Sequence, residues 1–286
     1  AMDIRERGGV VSTTVTITGT GTPIPTPDRA GPGVLVTHRS DGRKTDLLFD
    51  AGRSTVMRLL GAGSGPGDLN AVFLTHHHSD HLVGLDDVLL TRWVMDREQN
   101  LPPLPVVAPD GPCIQFVEGL CERWADDLEV RSAHSRRHSG PSVQPTAFAY
   151  PEVPTEVWRS GDVGVLAGQV RHEPVHPAVG YRIETPDGVV AISGDTLVCD
   201  EVADLAAVQW PDDRDRHRCV IDGGDQELLL VCPRAREPVL IDAARAPPVP
   251  DVLDQGARRG LHRAVGESGE RRVRPRQGGQ RRVLVD

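Results

Sequence analysis

Apolar and polar residues follow regular patterns up to about residue 206, and these patterns predict strands and helices in turn. From Thr13 to Thr18, threonines alternate with valine and isoleucine, which is the period-two pattern of a half-buried strand. Further short apolar runs are bounded by turn-forming or charged residues. Each of these runs predicts a strand: 34–37, 46–50, 71–74, 104–109, 163–167, 179–183 and 189–193.

Helical spacing separates several of these runs. Apolar residues three and four positions apart predict a helix from Ile114 to Leu128, and a shorter helix is predicted from Ser54 to Leu60. The polar stretch from Arg131 to Pro145 predicts an exposed loop. Because strands interleaved with helices are typical of layered proteins, the chain is predicted to have an α/β fold.

The pattern weakens near residue 206. Residues 206–286 contain 15 arginines and a single aromatic residue, Trp210. We therefore divide the chain into a folded domain at 10–205 and an atypical region at 206–286. Two interpretations of the second region stay open: a natural tail of poor order, or the product of a reading-frame shift in a GC-rich gene.

Composition and charge narrow the class of protein. No run of about 18 apolar residues occurs, which predicts no membrane span, and residues 1–9 lack the apolar stretch of a secretory signal. The five cysteines are an odd number without metal-site spacing, which favours a reducing, cytoplasmic location over a disulfide scaffold. The formal net charge of −9 disfavours a nucleic-acid partner, since such partners are usually bound by basic proteins.

Residues 75–81, with the sequence THHHSDH, carry most of the candidate chemistry. They directly follow the apolar run at 71–74. Side chains alternate along an extended chain, so His76 and His78 are expected to face one cation while His77 points away. Asp80 and His81 follow after a turn and are placed to face a second cation. Imidazole and carboxylate ligands favour zinc, with manganese and iron as the alternatives.

This segment resembles the His-x-His-x-Asp-His motif of the metallo-β-lactamase superfamily, and three further segments follow that family's order. They are an acidic strand end at 50–52, a histidine-bearing segment at 170–182 and an aspartate-bearing segment at 193–196. The resemblance covers residues 12–206 and implies an αββα metallo-β-lactamase sandwich for the domain at 10–205. Within the superfamily, ribonuclease Z-type hydrolases are the most similar, through the loop at 19–32.

The resemblance also implies roles for individual residues. It implies six ligands for two cations: His76, His78 and His172 for the first, Asp80 and His81 for the second, and Asp195 for both. A hydroxide held by the metals would be the nucleophile, and Asp80 would transfer protons. Asp50 would orient the ligands from behind. His172 is preferred to His176, because the family's ligand precedes a proline-containing stretch.

One ligand that the family normally supplies is missing from the pattern. A further histidine usually follows a C-terminal strand and binds the second cation. The histidines after Asp195 are His217 and His262, and neither follows a clear strand. The second cation is therefore expected to bind more weakly than the first. This loss begins where the composition changes, near residue 206, and it motivates the frame-shift interpretation.

Together these features predict a zinc-dependent hydrolase, most like a ribonuclease Z-type phosphodiesterase. Two alternatives stay open. The same site is suited to hydrolysis of a lactone, thioester or β-lactam carbonyl, or the protein binds metal with weak or no catalysis because the last histidine is missing. The expected partner is a small-molecule or phosphodiester substrate, RNA being disfavoured by the net charge. No membrane partner is expected, and a homodimer, common for this fold, is left open.

Overall fold

Two β-sheets form the centre of the structure, a computed structural model that describes residues 11–137, 140–206, 219–222, 227–233 and 240–243. The described strands are β1 Ser12–Gly19, β2 Gly33–Ser40, β3 Arg43–Phe49, β4 Leu69–Phe73, β5 Leu104–Pro109, β6 Val143–Phe148, β7 Thr155–Ser160, β8 Val163–Gln169, β9 Val179–Thr185, β10 Gly188–Asp195, β11 Cys219–Asp222, β12 Glu227–Pro233 and β13 Leu240–Ala243. The described α-helices are α1 Thr55–Gly61, α2 Ser79–Leu82, α3 Leu85–Met95, α4 Pro112–Glu118, α5 Leu120–Arg123, α6 Ala125–Ser135 and α7 Asp200–Ala206, and a 3-10 turn occupies Pro66–Asp68.

The two sheets differ in how their strands run. The first has the strand order β13-β1-β2-β3-β4-β5-β6 and is mixed, with parallel pairs from β3 to β6. The second has the order β11-β12-β10-β9-β8-β7 and is antiparallel in its described pairs. Asp41 and Gly42 both have positive φ in the turn between β2 and β3, as a two-residue hairpin turn requires.

The apolar residues of strands β3 and β4 show that the first sheet is covered on both faces. Leu47 and Phe49 point into the core between the sheets, whereas Leu48 packs with the helices on the outer face. In β4, Phe73 likewise points into the core between the sheets, whereas Val72 packs with the helices on the outer face. Since side chains alternate along a strand, an uninterrupted apolar run buries both faces, which is typical of a sheet enclosed between two layers.

Helices cover the outer faces of both sheets. Leu59 of α1, Leu85 of α3 and Val117 of α4 belong to the outer core of the first sheet. On the second sheet, Leu205 of α7 lies against the backbone of β8 and β9, close to Gly168 and Gly180. The layers are therefore helix, sheet, sheet, helix, and the predicted α/β class with an αββα sandwich is confirmed.

Every strand predicted up to residue 193 is present, but the stretch from Arg131 to Pro145 was predicted wrongly. Helix α6 continues to Ser135, where Arg131 forms an ion pair with Asp127 one turn earlier, and β6 begins at Val143. A polar helix of this kind is stabilised by such pairs rather than by burial, so its apolar pattern is weak.

Three described strands continue the sheets beyond residue 206. β12 pairs antiparallel with β10, with Ala191 opposite Leu230, and β13 pairs parallel with β1, with Val15 opposite Ile241. The described residues all lie within one compact unit. The division at 205/206 and the atypical character of 206–286 stay predictions.

No helix in the described ranges is both long and apolar enough to cross a membrane.

The backbone also explains how the site is placed. Ala51 N donates to His81 O and Gly84 N donates to Ala51 O, both at 2.8 Å, so the turn after β3 is bound to helix α2. A Cβ at Gly84 would lie 2.0 Å from Gly52 O, and only glycine permits this approach.

Candidate metal centre

The histidine segment leaves the end of β4 as an extended chain. Thr75 and His76 are buried, and His78 keeps extended backbone angles of −63° and 141° before α2 begins at Ser79. The alternation expected from the sequence is present: the rings of His76 and His78 lie 4.7 Å apart, whereas the His77 and His78 rings are 6.1 Å apart. The strand end therefore presents two imidazoles to one place.

Four of the predicted ligands meet there. Their ligand atoms all lie within 4.8 Å of one another, and the residues are His76, His78, His172 and Asp195. His172 Nε2 is 3.1 Å from His78 Nδ1 and 3.9 Å from Asp195 Oδ2. The residues come from the loop after β4, the loop after β8 and the end of β10. Three imidazoles and a carboxylate at this spacing form a donor set that suits a divalent cation.

Asp80 and His81 lie beside this group, on the other side of Asp195. His81 Nε2 is 3.3 Å from Asp195 Oδ1 and 4.0 Å from Asp80 Oδ2. The Asp195 carboxylate thus has one oxygen toward His172 and the other toward His81. All six predicted ligands are brought together, and Asp195 is placed between the two sets, as a shared ligand would be.

Asp50 lies behind the ligands and is almost fully buried. Its Oδ2 lies 2.7 Å from His81 Nδ1 and accepts a hydrogen bond of 2.8 Å from the Thr75 hydroxyl. Its Oδ1 accepts a 2.8 Å hydrogen bond from Thr75 N. These contacts suit the orienting role expected for Asp50, since a carboxylate behind a histidine holds its far nitrogen toward the metal.

Thr75 is a site residue that sequence reasoning missed. Its hydroxyl touches Asp50 Oδ2 and lies 2.9 Å from His76 Nδ1. Its position directly before His76 is the single sequence feature that could have drawn attention to it. Asp50 is 25 positions away, so the contact that defines the residue exists only after folding.

Burial and neighbouring charges set the protonation of the histidines. Burial, together with the imidazoles of His81 and His172, moves the pKa of His76 far below its usual value, so this ring is neutral. Burial also lowers the pKa of His172. The Asp195 carboxylate opposes this shift, and the His78 ring adds to it. Burial alone would lower the pKa of His81, but the carboxylates of Asp50 and Asp195 outweigh it and raise that pKa well above its usual value.

Four buried imidazole nitrogens have no hydrogen-bond partner within the described parts of the chain: His76 Nε2 and His81 Nε2 among the candidate ligands, and His77 Nδ1 and His38 Nε2 outside them. A buried polar atom without a partner costs about 1–3 kcal/mol, so such atoms indicate that another group belongs there. A cation at the candidate site would bind both of its nitrogens, and His81 would lose its Nε2 proton on binding. The residues therefore fit the divalent metal that the motif predicts.

The remaining histidines are placed elsewhere or lie outside the described residues. His176 packs against the Tyr150 ring at 4.5 Å and is not in the cluster, whereas His172 is. His134 is exposed on α6. His217 and His262 lie outside the described residues, so their suggested role as the missing ligand stays a prediction.

The two-sheet sandwich, with its candidate metal ligands at one edge, has a match among known protein families. Residues 29–98, which include the histidine segment, match the family described as the Metallo-beta-lactamase superfamily. The structure around it, with two sheets between helices and the histidine motif at a strand end, agrees with that match.

More particular similarity is to proteins named Ribonuclease Z. The one from Mycolicibacterium gilvum (strain PYR-GCK) is 38% identical over 179 residues, which are 63% of this chain and 60% of the relative. The one from Mycobacterium bovis (strain BCG / Pasteur 1173P2) is 37% identical over 181 residues, 63% of this chain and 62% of the relative. The chain thus matches about three fifths of the length of these relatives, and the predicted resemblance is confirmed.

Solved structures with lower identity are also similar. Human tRNase Z, short form, has a TM-score of 0.48 and 21% identity, over 67% of this chain and 73% of that one. The metallo-beta-lactamase fold protein YhfI from Bacillus subtilis has a TM-score of 0.48 and 21% identity, over 66% of this chain and 64% of the other.

Proposed function

We propose that this protein is a metal-dependent hydrolase that acts as a ribonuclease Z-type phosphodiesterase. The observation that carries the proposal is the meeting of His76, His78, His172 and Asp195 within 4.8 Å, beside Asp80 and His81. The similarity to proteins named Ribonuclease Z supports the choice of a phosphodiester rather than another substrate.

We assign the cation as zinc, with manganese and iron as alternatives, because neutral imidazoles dominate the donor set. His76, His78, His172 and Asp195 would hold the first ion, and Asp80, His81 and Asp195 a second. When bound, such cations activate a water molecule for attack and offset negative charge on phosphorus oxygens.

The protein's own side chains supply the remaining chemistry. Asp80 is buried, and its Oδ2 lies 4.0 Å from His81 Nε2, so its carboxylate is placed to accept a proton at the site and return it to a leaving oxygen. The burial of His76, His81 and Asp195 keeps water from competing with the substrate on the protein side of the site.

Activity tests separate this proposal from its alternatives. The zinc-loaded full chain is incubated with bis-p-nitrophenyl phosphate, a precursor transfer RNA, a lactone and a cephalosporin. We expect turnover of a phosphodiester and loss of this turnover in His78→Ala. The control variant is Asp187→Asn, which changes a carboxylate in the β9–β10 turn and should retain turnover. Turnover of the carbonyl substrates alone would instead establish hydrolysis of carbonyl compounds.

A specific observation favours the alternative of weak catalysis. Among the described residues, the second position has Asp80, His81 and the shared Asp195 but no further histidine. Stoichiometric zinc with negligible turnover on all four substrates would support that alternative and reject the proposed hydrolase.

The same observation predicts unequal occupancy of the two positions. A site with three histidines and a carboxylate should retain zinc better than one with a single histidine and two carboxylates. After dialysis against a mild chelator, elemental analysis should find about one zinc per chain. Two tightly held zinc ions per chain would contradict this prediction.

A further inference from the structure

The Thr75 hydroxyl lies between a carboxylate and a metal-ligand candidate. It is 2.8 Å from Asp50 Oδ2 and 2.9 Å from His76 Nδ1. All three side chains are buried, so water does not compete for these contacts. The contacts form a continuous relay from Asp50 through Thr75 to His76.

Elementary hydrogen-bond chemistry gives this relay a direction. An ionised carboxylate only accepts, so the Thr75 hydroxyl donates its single hydrogen to Asp50 Oδ2. The hydroxyl oxygen then has only lone pairs to offer to His76. His76 Nδ1 must therefore carry the hydrogen, and in a neutral imidazole the other nitrogen, Nε2, keeps its lone pair.

The rest of Thr75 prevents the hydroxyl from turning away. Thr75 N donates to Asp50 Oδ1, and Thr75 O accepts a 3.0 Å hydrogen bond from Val179 N. The Thr75 side chain also packs on Gly194, where a Cβ would lie 2.8 Å from it. Both sheets thus hold Thr75, through β4 on one side and through β9 and β10 on the other.

We propose that Thr75 is a positioning residue that fixes the Nδ1–H tautomer of His76 and so presents the Nε2 lone pair to the cation. His76 Nε2 is buried, and the described chain offers it no hydrogen bond. His81 contacts Asp50 directly, with its Nδ1 at 2.7 Å from Asp50 Oδ2, so the same carboxylate also orients the His81 ring. One carboxylate thereby orients two histidine rings, one of them through Thr75. The inference rests on the proposed function only in assuming that a cation binds there.

The tautomer is measured directly in the metal-free protein. Long-range nitrogen–proton NMR of histidine-labelled full chain distinguishes Nδ1–H from Nε2–H rings, and the His76 signals are identified by their loss in His76→Asn. We expect Nδ1–H at His76 in the wild type and in Thr75→Ser. In Thr75→Val, which has a similar volume but no hydroxyl, this preference should be lost.

Zinc affinity provides the second readout. Displacement of zinc by a chromophoric chelator should show the first ion bound about 10–100-fold more weakly in Thr75→Val, with Thr75→Ser close to the wild type. The chain offers a matched control in Thr13. Its buried hydroxyl also joins a carboxylate and a histidine, at 2.6 Å from Asp187 Oδ1 and 2.9 Å from His38 Nδ1. Thr13→Val should lower stability and leave zinc affinity unchanged.

Clear outcomes overturn the inference. An Nε2–H ring at His76 in the metal-free wild type rejects it, and that measurement needs no variant to fold. Wild-type zinc affinity in a folded Thr75→Val also rejects it. Absence of phosphodiesterase activity in the wild type would reject the proposed function but leave the tautomer result standing, so the two failures are distinguishable.

Discussion

Asp50 adopts a positive φ of 57°, an uncommon conformation for a residue with a side chain. The strained backbone turns its carboxylate back toward the end of β4, where Oδ1 and Oδ2 accept hydrogen bonds from the backbone and side chain of Thr75. Strain at one residue is tolerated because these buried hydrogen bonds compensate for it. At the residue scale, the site depends on a few such positions.

Gly194 is a second such position, and it gives a test at this scale. Its φ is 61°, and a Cβ would lie 2.8–2.9 Å from three atoms of the Thr75 side chain. Gly194→Ala should lower the free energy of unfolding by about 1–3 kcal/mol through the backbone strain. It should also weaken zinc binding, because it displaces Thr75 and the neighbouring Asp195.

Gly161→Ala is the matched control for this substitution. Gly161 has a similar φ of 58°, but nothing lies within 4 Å of its Cβ position. Chemical denaturation and zinc displacement are measured for both variants. If Gly161→Ala weakens zinc binding as much as Gly194→Ala, the contact with Thr75 does not explain the effect.

At the scale of elements, the turn between β9 and β10 binds the two sheets together. The Asp187 carboxylate of this turn accepts hydrogen bonds from Thr185 on β9 and from Thr13 on β1, at 2.8 and 2.6 Å. Burial raises the pKa of Asp187, but the two hydroxyl donors outweigh it and hold that pKa below its usual value. The turn is therefore a contact between sheets that depends on pH.

The sign of this dependence follows from the lowered pKa. A carboxyl group that is more acidic in the folded state stabilises the fold above its usual pKa, and this contribution is lost as the pH falls through the folded value. The wild type should thus exceed Asp187→Asn in stability by about 1 kcal/mol at pH 7. The difference should shrink below about pH 4, and urea unfolding at both pH values measures it. A constant difference would contradict the prediction.

Elements with strong patterns were predicted well, and the physical reason is burial. β4 and β10 are buried throughout or nearly so, and their apolar runs are clear in the sequence. β6 and β7 were not predicted, because these strands are largely exposed and carry polar residues in no regular alternation. β6 pairs with β5, which ends more than 30 residues earlier, so only folding reveals that pairing; β7 forms a hairpin with the adjacent β8.

At the scale of the whole molecule, aromatic packing between the sheets holds the layers together. Phe73 stacks on Phe49 at 4.8 Å and meets the rings of Tyr181 and Trp158 at 5.4 and 5.9 Å. Tyr181 also donates a 2.7 Å hydrogen bond to Leu74 O, directly before the metal-ligand segment. The core between the sheets is therefore connected directly to the strand end that carries the candidate ligands.

Removing this packing should destabilise the entire domain. Phe73→Ala leaves a cavity in a fully buried position and should cost about 3–5 kcal/mol in the free energy of unfolding. Phe116→Ala, at a partly buried ring on the outer face, should cost clearly less. Urea unfolding of the two variants compares them, and equal losses would show that the core between the sheets is not the main source of stability.

The sequence by itself determined the class of fold, the histidine segment and the identity of the six candidate ligands. The class of fold and the histidine segment depend on local periodicity and short spacings, which are present before folding, whereas His172 and Asp195 were assigned through the resemblance to a known family. Only the tertiary structure decided that Asp195 lies between His172 and His81, and that Thr75 joins Asp50 to His76. These contacts link residues between one and 114 positions apart, and the distant ones arise where the ends of β4 and β10 meet across the sandwich. Which lone pair would face a bound cation therefore depends on packing, although the histidine that supplies it can be identified from the chain alone.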